Sequence, residues 1–147
     1  MLQPQRHEDT KDLIEDFSSY PSLPQKTERI AKEVVDAAYK VHTTIGPGLI
    51  ESVYEVCLGY EFKKRRIPVR SQVPVPIVYD GVRLESALRL DLLVAESVII
   101  ELKSVEQMNP VFEAQLLSYL KLSGHRLGFL INFNVPLLKD GIKRIIL

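Results

Sequence analysis

The sequence has little that would fix it in a membrane, close a disulfide or create a large electrostatic field. Its single cysteine in 147 residues excludes an internal disulfide. No apolar run approaches the roughly 20 residues that cross a bilayer, and the N-terminus, MLQPQRHEDT, lacks the apolar stretch of a secretory signal. The 19 basic and 19 acidic residues balance, so nucleic acid could bind only through a local patch. These absences predict a cytoplasmic protein with no membrane partner.

The composition is that of an ordinary globular protein, with 46% hydrophobic and 26% charged residues. The length suits one domain with a single core. Residues 1–25 are polar and are interrupted by Pro4, Pro21 and Pro24. We therefore predict an N-terminal arm over residues 1–25, flexible or loosely docked, and one folded domain over residues 26–147.

Two helices are predicted ahead of any strand. The spacing of apolar residues predicts a first helix from Thr27, as its N-cap, to about Thr43. The stretch IGPG at residues 45–48 breaks this pattern, and a second helix follows from near Leu49 to around Arg66.

Beyond these helices the apolar period changes to two, which predicts three strands. The first contains Pro74 and Pro76, which lack ladder donors and so favour the edge of a sheet. Five of its side chains are expected on one face: Val69, Val73, Val75, Ile77 and Tyr79. Asp80-Gly81 predicts a tight hairpin into a second strand ending at Val94, and VIIELKSV at residues 98–105 predicts a third, antiparallel strand.

A crossover helix and a parallel strand complete the predicted fold. Asn109 is a good N-cap before Pro110, and the helix should end before Gly124. RLGFLINFN at residues 126–134 then predicts a buried strand parallel to the third, with a short final strand in IKRIIL at residues 142–147. The expected fold class is α/β with a mixed sheet: two N-terminal helices, an antiparallel three-strand meander, a crossover helix and a parallel strand.

Three charges stand out in the apolar second and third strands. Glu101 and Lys103 lie two residues apart and so project to one face, and Asp91 is a lone acid in the strand before them. A three-residue loop, Ala95 to Ser97, would place Asp91 opposite Glu101. A two-residue loop would place Glu101 on the other face of the sheet.

With the three-residue loop, two carboxylates and a lysine would converge in apolar surroundings. Two carboxylates repel each other, and a divalent cation between them would relieve that repulsion. Mg²⁺ or Mn²⁺ prefers a few hard oxygen ligands with positions left for water and phosphate. Lys103 could stabilise charge on a phosphoryl group, so the pattern favours phosphodiester hydrolysis. A buried ion pair, or charges that emerge at the sheet rim, is the purely structural alternative.

These residues also carry a resemblance to a known superfamily. Asp91 followed by Glu-Leu-Lys at residues 101–103 resembles the PD-(D/E)XK nucleases, although Leu90 replaces the usual proline. GLIESVY at residues 48–54 fits Gly-x-x-Glu-x-x-Tyr and resembles the GxxExxY family placed in that superfamily. Gln115 and Tyr119 fit the Gln-x-x-x-Tyr motif of the RecB-like branch. The resemblance extends from about residue 28 to the C-terminus and implies a restriction-endonuclease-like core.

The resemblance implies roles for individual residues. Asp91 and Glu101 would be metal ligands, the backbone carbonyl of Leu102 a further ligand, and Lys103 the catalytic lysine. Glu51 would be the first-helix acid that binds Mg²⁺ or Mn²⁺ directly or through water, with a solvated helix acid as the alternative.

A second group would position substrate or metal-bound water. Gln115 and Tyr119 lie four apart and so share one helix face. Tyr54 would be a core residue whose hydroxyl reaches the site. Glu113 belongs to the same pattern, but it is equally well explained as a first-turn acid favoured by the helix dipole.

The one candidate nucleic-acid patch is basic and local. It comprises Lys63, Lys64, Arg65, Arg66 and, just beyond, Arg70, and its alternative is a solvated helix end. The sequence thus predicts a metal-dependent nuclease acting on DNA, whose rival is a non-catalytic nucleic-acid-binding or protein-interaction module with the same fold. A chain this small has little surface for sequence readout, so a homodimer is also considered.

Overall fold

The structure, a computed structural model, describes residues 22–147, so the arm predicted over residues 1–25 lies almost wholly outside the described residues. The described chain forms three α-helices, five strands and one short 3₁₀ helix. In chain order these are α1 Gln25–Ile45, α2 Glu51–Lys64, β1 Val69–Tyr79, β2 Val82–Val94, β3 Val98–Lys103, α3 Pro110–Ser123, β4 Leu127–Asn132, the 3₁₀ helix Leu138–Asp140 and β5 Ile142–Ile146.

All five strands form one mixed sheet in the order β1-β2-β3-β4-β5. The pairs β1–β2 and β2–β3 are antiparallel, β3 and β4 are parallel across the α3 connection, and β5 returns antiparallel to β4. The predicted α/β class, meander, crossover helix and parallel strand are therefore confirmed. The edge position of β1, inferred from its two prolines, is confirmed as well.

Helices cover both faces of this sheet. On one face, α1 and α2 pack their apolar side chains, Leu58 and Phe62 among them, against β-strand residues such as Ile100. On the other face, α3 packs Leu116 and Leu120 against the sheet. Burial of apolar surface on both sides is the main stabilising term for such a core, and it leaves β3 and β4 almost completely buried.

The predicted start of α1 is wrong, whereas both predicted ends of α3 are confirmed. Thr27 as the first N-cap is wrong, because the N-cap is Pro24, three residues earlier, whose fixed φ is compatible with entry into a helix. The α3 ends are confirmed: Asn109 accepts a hydrogen bond from the Val111 amide, and Gly124 ends the helix in a left-handed conformation. Within residues 22–147, no helix is both long enough and apolar enough to cross a bilayer.

The predicted hairpin at Asp80-Gly81 is confirmed. Both residues have positive φ, 52° and 78°, as a two-residue turn between twisted strands requires. The third strand ends at Lys103, two residues earlier than predicted. The side chain of Asn132 accepts a hydrogen bond from the Val105 amide and donates one to the Val105 carbonyl, so those groups do not continue the sheet.

The side-chain alternation of β1 breaks at Gln72. Val69 packs on the α1 and α2 side of the sheet, whereas Val73 packs on the α3 side. Residues an even number apart in a regular strand share a face, so the prediction that Val69 and Val73 do so is wrong. The cause is the left-handed backbone of Gln72, with φ 53°.

Candidate active site

The register of β2 and β3 places Asp91 opposite Glu101. The paired residues are Val94 with Val98, Leu93 with Ile99 and Leu92 with Ile100, so the next positions to meet are Asp91 and Glu101. The connecting loop has three residues, and Ala95 and Glu96 both take a left-handed conformation. The three-residue loop is confirmed, and the two-residue alternative is wrong.

Beyond Leu92 the two strands are joined by carboxylates. The Leu102 amide donates to Asp91 Oδ2 at 2.8 Å, and the Asp91 amide donates to Glu101 Oε1 at 3.2 Å. Each acid is therefore tied to the backbone of the strand opposite it. This arrangement fixes both carboxylates on rigid strands, as a precise polar site needs.

Glu101 is held largely in its protonated form at neutral pH. Its residue is 6% exposed, and its pKa is raised to about 8, first by burial and then by the negative charge of Asp91. The hydrogen bond from the Asp91 backbone and the charge of Lys103 lower this pKa but do not offset the burial. Burial and the neighbouring charge of Asp91 therefore disfavour the ionised form of Glu101.

Lys103 projects to the same face as Glu101 and is held by an aromatic ring. Its Nζ lies 4.2 Å from the ring centroid of Phe112, which α3 supplies. A cation over an aromatic face is stabilised electrostatically. The ammonium is therefore fixed beside the carboxylates, close enough that its charge acts on Glu101.

Glu51 lies at the edge of this cluster. It is the first residue of α2, and its Oε2 accepts a hydrogen bond from the Ser104 amide at 3.3 Å. No group of three or more His, Cys, Asp or Glu side chains within residues 22–147 is arranged to hold a metal ion. Glu51 thus does not form a three-acid group with Asp91 and Glu101 in this structure, and its metal-binding role, direct or through water, stays a prediction.

Glu55 is a further acid near the site that the sequence reasoning missed. Its Oε1 accepts a hydrogen bond from Gln72 Nε2 at 2.9 Å. Its pKa is raised, first by burial and then, against the hydrogen bond from Gln72, by the charges of Asp91 and Glu51. The available signal was its spacing of four from Glu51, which places both acids on one helix face.

Helix α3 brings Tyr119 to the carboxylates but turns Glu113 elsewhere. The pKa of Tyr119 is raised, first by burial and then by the charges of Glu101 and Asp91. Gln115, four residues earlier on the same helix, acts on this pKa in the opposite direction. The carboxylate of Glu113 instead pairs with Lys143 of β5 at 2.7 Å.

Tyr54 supports a loop and is fully buried. Its hydroxyl donates to the Gly46 carbonyl at 2.7 Å and accepts from the Leu49 amide at 3.1 Å. Its ring stacks on Phe133 with centroids 4.3 Å apart. Tyr54 of α2 therefore stabilises the loop that precedes Glu51. Its side chain has no exposed surface for direct contact with substrate.

Most of the basic patch is occupied by acids of the same chain. Arg65 donates to Glu33, Asp36 and Glu61. Lys64 lies 3.9 Å from Glu61. Salt bridges of this kind use the donors that a phosphate would need, so these residues are weaker candidates than the sequence alone indicated.

The remaining basic residues are dispersed. Arg70 makes two hydrogen bonds to Glu96, and Arg66 is exposed just beyond the end of α2. Lys63 lies on a cavity of about 370 Å³ between α2 and β1. That cavity also adjoins the candidate site and is lined by Glu55, Val56, Gly59, Tyr60, Lys63, Val69, Ser71 and Leu92.

The donor set fits a small hard cation. Asp91 and Glu101 offer carboxylate oxygens from opposing strands, and the charge of Asp91 adds to burial in raising the pKa of Glu101. Mg²⁺ commonly binds through one or two carboxylates and keeps several waters. Asp91 and Glu101 would hold such an ion without a third direct acidic ligand.

Comparison with known proteins identifies the family. A family model described as the PD-(D/E)XK nuclease superfamily matches residues 28–145, which include Asp91, Glu101 and Lys103. Searches of curated proteins and of solved structures gave no match. The matched span contains β1 to β4 and all but the last residue of β5. The chain belongs to the PD-(D/E)XK nuclease superfamily.

Proposed function

We propose that this protein is a metal-dependent nuclease that hydrolyses phosphodiester bonds in DNA. The observation that carries the proposal is the facing pair Asp91 and Glu101, with Lys103 fixed beside it. Membership of the superfamily supports nuclease chemistry. The narrower resemblances, to the GxxExxY family and to the RecB-like branch, are part of this proposal, as is a cytoplasmic location.

The carboxylates would hold Mg²⁺ or Mn²⁺, with the Leu102 carbonyl as a further ligand and Glu51 acting through water. When bound, the ion supplies positive charge to a phosphate oxygen and activates water. Glu101 must release its proton to accept the ion, and Asp91 stays in place through its hydrogen bond from the Leu102 amide.

Lys103 has a separate role in the proposed reaction. Its ammonium stabilises the negative charge that grows on the phosphoryl group as water adds and the bond to the leaving oxygen breaks. Phe112 holds that ammonium in position before substrate arrives. Tyr119, oriented with Gln115, provides a hydroxyl near the carboxylates that can position water or a phosphate oxygen.

The nucleic acid would follow the cavity between α2 and β1. Lys63 can neutralise a phosphate there, and Tyr60, 66% exposed on the same wall, can stack on a base. Arg66, just past the end of α2, would add a second cation. A homodimer would enlarge this limited surface, and sedimentation at several protein concentrations would test for one.

The rival function is a non-catalytic nucleic-acid or protein-binding module. One observation favours it: Arg65 and Arg70 already form ion pairs with acidic residues, which weakens non-specific binding to nucleic acid and so disfavours a nuclease. The retained Asp91, Glu101 and Lys103 favour catalysis, because a binding module has no use for a buried pair of acids.

Cleavage assays separate the two functions. Single-stranded, duplex and branched DNA, and RNA, would be incubated with Mg²⁺ or Mn²⁺ and with the wild type, Lys103→Ala, Asp91→Asn or Lys121→Ala. We expect losses of about 100-fold or more in the first two variants and none in Lys121→Ala, an exposed lysine of α3. Equal cleavage by all four proteins would reveal a contaminant and contradict the proposal. No cleavage together with no metal binding by calorimetry would favour the binding module.

A further inference from the structure

Gln72 has a backbone conformation that a glutamine in a strand rarely adopts. Its φ is 53°, in the left-handed region that favours glycine and, among other residues, asparagine. The residues on either side remain paired with β2: Ser71 lies opposite Leu92, and Val73 lies opposite Leu90. The distortion therefore lies inside a paired stretch of the two strands, at the position opposite Asp91.

At this level of the sheet, the side chains of both β1 and β2 change from one face of the sheet to the other. Ser71 and Leu92 line the cavity beside α2, whereas Val73 and Leu90 pack on the α3 side. Regular strands would keep Ser71 with Val73, and Leu90 with Leu92, on common faces. Asp91 and Gln72 lie at the crossing point, which is where the carboxylate of Asp91 reaches between the strands to the Leu102 amide.

The side chain of Gln72 uses this conformation to contact helix α2. Its Nε2 donates to Glu55 Oε1 at 2.9 Å, a contact between residues 17 apart in sequence. The backbone carbonyl of Gln72 accepts a hydrogen bond from Arg89 Nη1 at 3.2 Å. Unfavourable backbone conformations persist where surrounding contacts determine them, and they cluster at functional sites.

We infer that Gln72 is a positioning residue of the carboxylate site: its left-handed backbone directs its amide to Glu55 and holds that carboxylate toward Asp91. The inference rests on the proposed function, because it makes Glu55 a further acid that acts on the cation bound by Asp91 and Glu101. In this arrangement Glu55 would act on water held by that cation. Its charge already acts on the same region as those of Asp91 and Glu51.

The test uses substitutions of Gln72 that separate the effect of its side-chain amide from the effect of its backbone conformation. Gln72→Asn keeps an amide and tolerates the left-handed conformation, but it is one methylene too short to reach Glu55. Gln72→Gly removes the backbone conflict together with the amide, and Gln72→Ala removes the amide alone. Glu55→Gln, the double variant Gln72→Ala/Glu55→Gln and the control Gln25→Ala, an exposed glutamine at the start of α1, complete the set.

Mn²⁺ binding by calorimetry is the first measurement. We expect each Gln72 variant and Glu55→Gln to weaken Mn²⁺ binding by about tenfold, the usual effect of losing an outer contact to a metal site. The double variant should bind Mn²⁺ no more weakly than either single variant, because both substitutions disrupt the same Gln72–Glu55 contact. Wild-type affinity in Gln72→Asn or Gln72→Gly, or additive losses in the double variant, would overturn the inference.

A second measurement keeps this inference apart from the proposed function. The side-chain carboxyl ¹³C resonances of Glu55 and Glu51 would be recorded without metal for the wild type and Gln72→Ala. A shift at Glu55 alone supports positioning by Gln72 even if the wild type binds no Mn²⁺, in which case only the nuclease proposal fails. An unchanged Glu55 resonance overturns the inference whatever the metal does.

Discussion

At the scale of single residues, the protonation of Glu101 couples the site to the stability of the fold. Its pKa lies near 4.5 in an unfolded chain and rises to about 8 in the folded one. Between these values the folded state holds a proton that the unfolded state has released. The free energy of unfolding should therefore fall as pH rises from about 4.5 to about 8, and this contribution should level off above 8.

Chemical unfolding in a metal chelator, at unit steps from pH 5 to pH 9, would measure this effect for the wild type and Glu101→Gln. The glutamine can still accept the Asp91 amide but does not titrate. The variant should gain stability relative to the wild type as pH rises, by a few kcal/mol over the full window. Parallel curves for the two proteins would contradict the raised pKa.

Tyr54 gives a second prediction at this scale. Tyr54→Phe keeps the stacking on Phe133 but leaves the Leu49 amide and the Gly46 carbonyl without their shared partner. We expect the free energy of unfolding to drop by about 1–2 kcal/mol, measured by urea unfolding. Tyr60→Phe, on the exposed face of the same helix, is the matched control and should leave stability unchanged. Equal stability of Tyr54→Phe and the wild type would show that the hydroxyl does not support the loop.

At the scale of elements, two glycines should respond to alanine in opposite ways. A Cβ on Gly141 would clash with the carbonyl oxygen of Asn132 and lie 2.9 Å from Val135 Cγ2, whereas one on Gly59 would meet nothing within 4 Å. Gly141→Ala should cost about 1–3 kcal/mol through overpacking. Gly59→Ala, inside α2, should add roughly 0.5–1 kcal/mol because it restricts the unfolded chain. Thermal unfolding of both variants tests the pair, and stabilisation by Gly141→Ala would contradict the packing around β5.

The elements themselves could be predicted from the sequence because their signals are local. The hairpin at Asp80-Gly81 and the N-cap at Asn109 depend on residues next to one another in the chain, and both predictions are confirmed. The opposition of Asp91 and Glu101 was predicted only for a three-residue loop, and the structure was needed to choose that loop over a two-residue one.

What the sequence did not reveal depends on contacts between distant residues. The left-handed Gln72 is tied to Glu55 on another element, and no local propensity predicts that conformation for a glutamine. The charge run at residues 63–66 gave no sign that Arg65 is enclosed by Glu33 and Asp36 of α1. Such pairings become visible only once α1 and α2 are packed together.

At the scale of the whole molecule, we predict that the described residues fold without residues 1–21. Both hydrophobic clusters, one on each face of the sheet, are built from residues between Leu23 and Leu147. A chain that starts at Ser22 should therefore unfold at the same temperature as the full chain, which calorimetry would measure. A fall of more than about 4 °C, corresponding to roughly 1 kcal/mol, would show that residues 1–21 contribute to the fold and would contradict the predicted domain boundary.

The carboxylates that join β2 to β3 have one more consequence. The amide protons of Asp91 and Leu102 are bound to Glu101 and Asp91 side chains, and not to carbonyl groups. Their rates of exchange with solvent deuterium should follow the charge on these two acids, whereas neighbouring ladder amides follow only local opening. Two backbone positions should thus report any change of charge at this carboxylate pair, without any substrate and without any substitution.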